Sequence, residues 1–168
     1  MTPHMWFTAR IAAAAMALSM TVMVCQADDF AYGRRLYLDK AQCAFCHGWA
    51  GDGAGEPQSN GGAANLRQSV LTRELLIEVI LCGRPYTPMP RFDESAYVDR
   101  PCYGLKEADL GAKVPSLPPG STLQPREAAA VADYLLAKVI NRGPITREEC
   151  EEAYGDGARQ CARYPAKQ

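Results

Sequence analysis

Apolar positions recur at helical spacing in three stretches of the chain, and glycine, proline and polar residues fill the intervals between them. From Phe30 to Gln42, Tyr32, Leu36 and Lys40 fall on one helical stripe with Gly33 and Tyr37 beside it, which predicts an amphipathic first helix. Glycine inside a helix costs stability, so Gly33 suggests the close passage of another helix. Thr72 is a suitable N-cap, and Glu74 suits the positive end of a helix dipole. Leu75, Leu76, Val79 and Ile80 then predict a middle helix ending at Cys82 before Gly83 and Pro85. Pro125 suits a first helical position, and Val131, Tyr134, Leu135 and Lys138 extend that helix toward Asn141-Arg142-Gly143-Pro144. Thr146-x-x-Glu149 has the form of a capping box opening a short fourth helix to about Tyr154.

The segments between the helices are of two kinds. Gly48 to Leu66 is glycine-rich; without a Gly-Lys-Ser/Thr ending it does not read as a phosphate loop, and it suits close backbone approach to a bound group. Trp49 and Asn65 are candidates either for polar contacts to such a group or for ordinary packing. Arg91 to Thr122 is long and rich in proline and glycine, with a short helix expected at Lys106 to Leu110. Loops of that length are usually functional or disordered, so it is either a partner-facing rim or a neutral insertion. With 168 residues, the chain is sized for one domain.

The candidate chemistry sits at the end of the first helix. Cys43-Ala44-Phe45-Cys46-His47 places two thiols and an imidazole at the spacing that attaches a c-type haem: the thiols form thioethers, and the histidine is left beneath the porphyrin as an iron ligand. A structural zinc site would need a second ligand pair, and no second Cys-x-x-Cys is present. A thioredoxin-like motif would need a βαβ setting that the flanking pattern does not offer.

The N-terminus adds compartment and removes competing ligands. Arg10, an apolar run from Ile11 to Val24 and small residues before Asp28 have the form of a signal peptide, residues 1–27, directing the protein to the periplasm. The run is short for a spanning helix, which needs about 20 residues, so no stable membrane insertion is expected. Without residues 1–27, one histidine and one methionine remain, His47 and Met89. Met89 lies in Arg84-Pro85-Tyr86-Thr87-Pro88-Met89-Pro90, where the flanking prolines predict a stiff, extended loop able to hold a thioether at iron. Besides the motif pair and Cys25, the cysteines are Cys82, Cys102, Cys150 and Cys161. They allow three pairings; the local one, Cys82 with Cys102 and Cys150 with Cys161, closes the shortest loops and is the expected one. The balance of 18 basic and 19 acidic residues shows no basic tract for nucleic acid.

Taken together, these features resemble the class I c-type cytochromes, with the likeness running from about Asp28 to Asn141. The resemblance implies an all-α fold with helices packed around one covalent haem c, and first and last helices that cross so that Gly33 meets the region of Tyr134. It also implies axial ligation by His47 and Met89 and thioethers at Cys43 and Cys46. To that plan the chain adds the long insertion and a short disulfide-pinned C-terminal extension, so the expected organisation is a cytochrome domain at 28–142 and an extension at 143–168. The Cys82 to Pro90 run and the extra cysteines also resemble small exported cytochromes of methanol metabolism and quinoprotein dehydrogenases. The expected function is therefore electron transfer without substrate chemistry, from a quinoprotein dehydrogenase to a terminal oxidase or another cytochrome. The alternatives are a haem enzyme with a labile sixth position and a permanent haem subunit of a dehydrogenase complex.

Overall fold

The computed structural model describes residues 25–59, 62–99 and 102–167, with side chains from residue 30 onward. The expected signal segment falls almost wholly outside them. Among the described residues the structure is helical, without strands. Helix α1 (Cys25–Arg35) runs into a π-helical turn, Leu36–Lys40. A short helix α2 (Cys43–His47) carries the motif, and α3 (Arg73–Cys82) follows the glycine-rich loop. The insertion contains α4 (Glu107–Leu110), and α5 (Pro125–Lys138) and α6 (Arg147–Tyr154) complete the order. The all-α class, the insertion and the disulfide-pinned extension expected from the sequence are all present.

The main core forms where α1, α3 and α5 meet, around Leu36, Tyr37, Leu76, Ile80, Val131, Tyr134 and Leu135. Helices α1 and α5 form the most extensive pairing. Gly33 makes their approach possible: a Cβ there would lie 2.8 Å from Tyr134 Cβ and overlap the Ala130 carbonyl. The expected crossing of Gly33 with the Tyr134 region is borne out. At the same crossing Glu127 takes two hydrogen bonds from Lys40, at 2.7 and 2.8 Å, and one from the Tyr32 hydroxyl at 3.2 Å. Tyr32 and Lys40 thus share a polar edge, and the buried face is Gly33, Leu36 and Tyr37.

Two helical expectations need correction. The first helix does not continue unbroken to Gln42: it widens into the π turn, and Gln42 adopts a left-handed φ of 50°. This seats Tyr37 in the core, where its hydroxyl donates to the Gly48 carbonyl at 2.7 Å behind the motif. In α3 the buried residues are Leu76, Ile80, Leu81 and Cys82, while Leu75 is exposed, because the helix meets the insertion as well as the core.

Both expected disulfides form, Cys82–Cys102 and Cys150–Cys161. The first is the centre of a second small core with Ala96, Tyr97 and Leu110. The insertion is therefore a packed unit seated on the end of α3. The extension is also docked. Arg67, 4% exposed, makes a two-pronged ion pair with Glu149 of α6 at 2.7 and 2.9 Å. The same guanidinium donates to the carbonyls of Ala50, Gly143 and Pro144. Thr146 caps α6 through the Glu149 N–H at 3.2 Å. The other half of the expected capping box is missing because the Glu149 carboxylate is spent on Arg67.

Candidate haem site

The motif helix α2 begins at the left-handed Gln42 and ends at Gly48, whose φ is 80°. The glycine-rich loop then folds back over the motif's own backbone. Gly53 N–H donates to the His47 carbonyl and Glu56 N–H to the Phe45 carbonyl, each at 2.8 Å. A Cβ on Gly55 would come within 2.6 Å of the Cys46 carbonyl oxygen, and one on Gly53 within 2.8 Å of the Ala63 oxygen. At Gly53 and Gly55 the demand for glycine comes from backbone meeting backbone. Both named polar candidates in the loop make packing or capping contacts: Asn65 caps a 3-10 turn, accepting from the Arg67 N–H at 3.0 Å, and Trp49 packs edge-on against Tyr154 at 5.3 Å between centroids.

His47 Nδ1 lies 2.9 Å from the Ala64 carbonyl oxygen. A carbonyl can only accept, so Nδ1 carries the proton and Nε2 keeps the lone pair able to coordinate a metal. Burial lowers the His47 pKa, the Ala64 bond opposes this, and the nearby Arg84 guanidinium lowers it further; the net shift favours the neutral, ligating form. Among the described residues Cys43 and Cys46 are the free cysteines, whereas Cys82, Cys102, Cys150 and Cys161 are all paired. Burial pushes the Cys43 thiol up to about 12, which is the wrong direction for a reactive redox thiol.

Met89 sits in a tight, hydrogen-bonded turn, not in the extended loop that its flanking prolines suggested. Arg84 N–H donates to the Met89 carbonyl at 3.2 Å, and Met89 N–H donates to Thr87 Oγ1 at 3.2 Å. The Thr87 N–H and hydroxyl both donate to the Arg84 carbonyl, at 3.2 and 2.8 Å. Tyr86, between the prolines, takes φ 65° to close the turn. Proline fixed the ends but did not forbid a reversal between them. Rigidity was the useful part of the expectation, and it is supplied by four hydrogen bonds.

The residues fit a covalently held haem: two uncommitted thiols, an imidazole oriented by its far nitrogen, and a thioether on a stiff turn. Two surface clefts of about 440 and 280 Å³, one between Arg67 and the extension and one against Ala44 and Phe45 of the motif helix, are lined by neither His47 nor Met89. Arg67 was missed in the sequence, where nothing distinguishes it from a solvated arginine. Its partner Glu149 was visible only as half of a capping box. Among the described residues no helix is long and apolar enough to cross a membrane.

No curated protein and no solved structure matches the chain. Residues 28–105 match the family model described as cytochrome C oxidase, cbb3-type, subunit III, a stretch that holds both the motif and the Met89 turn. The helical fold and the Cys43 to His47 motif agree with this similarity to a c-type cytochrome domain, a kind of domain that holds haem c covalently.

Proposed function

We propose that the protein is an exported, periplasmic one-electron carrier in which Cys43 and Cys46 hold the haem and His47 and Met89 are its axial ligands. The observation that carries this reading is the His47 Nδ1 bond to Ala64, which fixes the ring with Nε2 available, while Met89 is carried on a closed, hydrogen-bonded turn. Haem c supplies a one-electron ferric/ferrous couple at its iron. The chain's own residues do the rest. Thioethers at Cys43 and Cys46 prevent loss of the group. Ala64 and the loop over α2 hold the imidazole plane, and the hydrogen bonds of the 84–89 turn hold the sulfur. A neutral thioether raises the potential relative to a second imidazole, which suits an acceptor late in a chain.

The donor in this reading is a quinoprotein dehydrogenase of the alcohol or methanol type, and the acceptor is a terminal oxidase or another cytochrome. The oxidase side gains support from the description of the matching family. Redox encounters bury little area, so the interface would be small and short-lived. The same description, of an oxidase subunit, favours one further reading: a resident haem subunit of a larger complex. Sedimentation of the native protein distinguishes these, since a carrier runs as a free small protein.

A haem enzyme would need an open or labile sixth position. Carbon monoxide added to the reduced holoprotein should bind poorly, because Met89 occupies that position. Rapid, stoichiometric binding by the native protein would reject the carrier reading.

A further inference from the structure

The 91–122 insertion reaches the root of the Met89 turn through the Cys82–Cys102 disulfide and the Tyr103 side chain. Gly83 is the hinge between α3 and the turn, with φ 65°. Its N–H donates to the Val79 carbonyl inside α3 at 2.9 Å, and its carbonyl accepts the Tyr103 hydroxyl at 2.7 Å. The hinge has no slack, since a Cβ on Gly83 would lie 2.6 Å from the Pro90 carbonyl carbon on the far side of the turn. The peptide that leads into Arg84 is thus fixed on one face by α3 and on the other by the insertion.

Tyr103 occupies a conformation that a bulky residue avoids. Cys102 and Leu105 pair as an antiparallel bridge, and the two residues between them have φ of 55° and 75°. A hairpin turn of this mirror-image type favours asparagine, aspartate or glycine at its first central position, where this chain has tyrosine. An observed strain of this kind points to function. The turn is held from three sides: the Cys82–Cys102 disulfide precedes Tyr103, the backbone bonds of Cys102 and Leu105 close it, and Tyr103 N–H reaches Glu78 Oε1 at 3.3 Å. All three direct the phenol at Gly83.

We infer that Tyr103 is a positioning residue for the sixth iron ligand: from the insertion it clamps the Gly83 carbonyl and thereby holds the turn that presents Met89. This rests on the reading of Met89 as ligand. It gives the insertion a role in the site, as a splint on the ligand turn.

The test is the Tyr103→Phe holoprotein, which loses only the hydroxyl. Imidazole titrated into the ferric protein competes with Met89, and its dissociation constant reports how firmly the sulfur is held. Loss of one hydrogen bond to a buried carbonyl should tighten imidazole binding about tenfold. Tyr32→Phe removes a hydroxyl from the distant α1–α5 crossing and should leave imidazole binding at the native value. Equal imidazole affinity in native protein and Tyr103→Phe, or an equal gain in both variants, would overturn the role. Absence of the sulfur-to-iron charge-transfer band from the native ferric protein would instead reject Met89 as ligand, and this inference with it.

Discussion

The two segments that carry the proposed ligands, the motif helix with its glycine-rich loop and the Met89 turn, are each braced by an addition to the basic helical plan, and the braces differ in kind. On the His47 side the brace is the C-terminal extension. Arg67 is nearly fully buried and spends its guanidinium on Glu149 and three carbonyls. It lies three residues after Ala64, the partner of the His47 ring, and Arg67 N–H and Leu66 N–H both donate to the Gly51 carbonyl. On the Met89 side the brace is the insertion, which reaches the root of the turn through the Cys82–Cys102 disulfide and one partly exposed phenol. The segment that holds the imidazole is therefore tied to the extension by a buried ionic network, whereas the Met89 turn, closed by its own hydrogen bonds, is tied to the insertion by the Cys82–Cys102 disulfide and the neutral Tyr103 bond to Gly83. This difference implies that the His47 side is coupled to global stability, while the Met89 side can change its ligation with the fold intact.

The largest effect that could break this contrast is at Glu149. Glu149→Ala leaves the Arg67 charge buried without its partner, and breaking such a pair costs about 3 kcal/mol or more. Thermal or denaturant unfolding should show that loss, with the sulfur-to-iron band kept in whatever protein remains folded. Loss of the band without loss of stability would reverse the assignment of the two braces.

The disulfides sharpen it next. Each closes a short loop, of sequence separation 20 for Cys82–Cys102 and 11 for Cys150–Cys161, and each is worth about 3 kcal/mol in the chain-entropy model. Replacing either pair by serine should therefore lower stability by similar amounts. Only Cys82→Ser with Cys102→Ser should also make the ferric protein bind imidazole more tightly, because that pair sits at the root of the Met89 turn. Parallel behaviour of both double variants in the imidazole titration would show that the braces are not side-specific.

The smallest effect is acid sensitivity at the helix crossing, which belongs to neither brace. Burial would raise the Glu127 carboxyl, but hydrogen bonds from Lys40 and the Gln124 backbone outweigh it and hold the group below its ordinary value. A carboxyl depressed on folding contributes stability above its unfolded pKa, about 4.3, and that contribution is lost as pH falls through the lower folded value. Unfolding followed from pH 6 to 3 should show a loss that Glu127→Gln reduces, with imidazole affinity of the folded protein unaffected by the substitution. An identical pH dependence in Glu127→Gln would remove Glu127 from the account.

Much of this was legible in the sequence because local signals and tertiary demands agreed. Thr72 and Thr146 each accept from the N–H three residues on, as their positions predict, and α5 runs from Pro125 to Lys138 as its pattern indicates. Gly33 announced a helix crossing since few other reasons put glycine there. Features that depend on distant partners were not legible. The π turn arises from seating Tyr37 against Gly48, and no local pattern encodes it. Arg67 and Glu149 are 82 positions apart, and each alone reads as a surface charge. The Met89 turn lay between: proline signalled stiffness, but the reversal depends on Thr87 bonds and a left-handed Tyr86 that the proline pattern does not require.

Whether Met89 completes the coordination begun by His47 is decided by the Met89→Ala holoprotein. This variant should lose the sulfur-to-iron charge-transfer band, bind carbon monoxide readily in the reduced state and show a lower reduction potential, with haem attachment at Cys43 and Cys46 unchanged. An unaltered spectrum and potential in Met89→Ala would contradict this ligation.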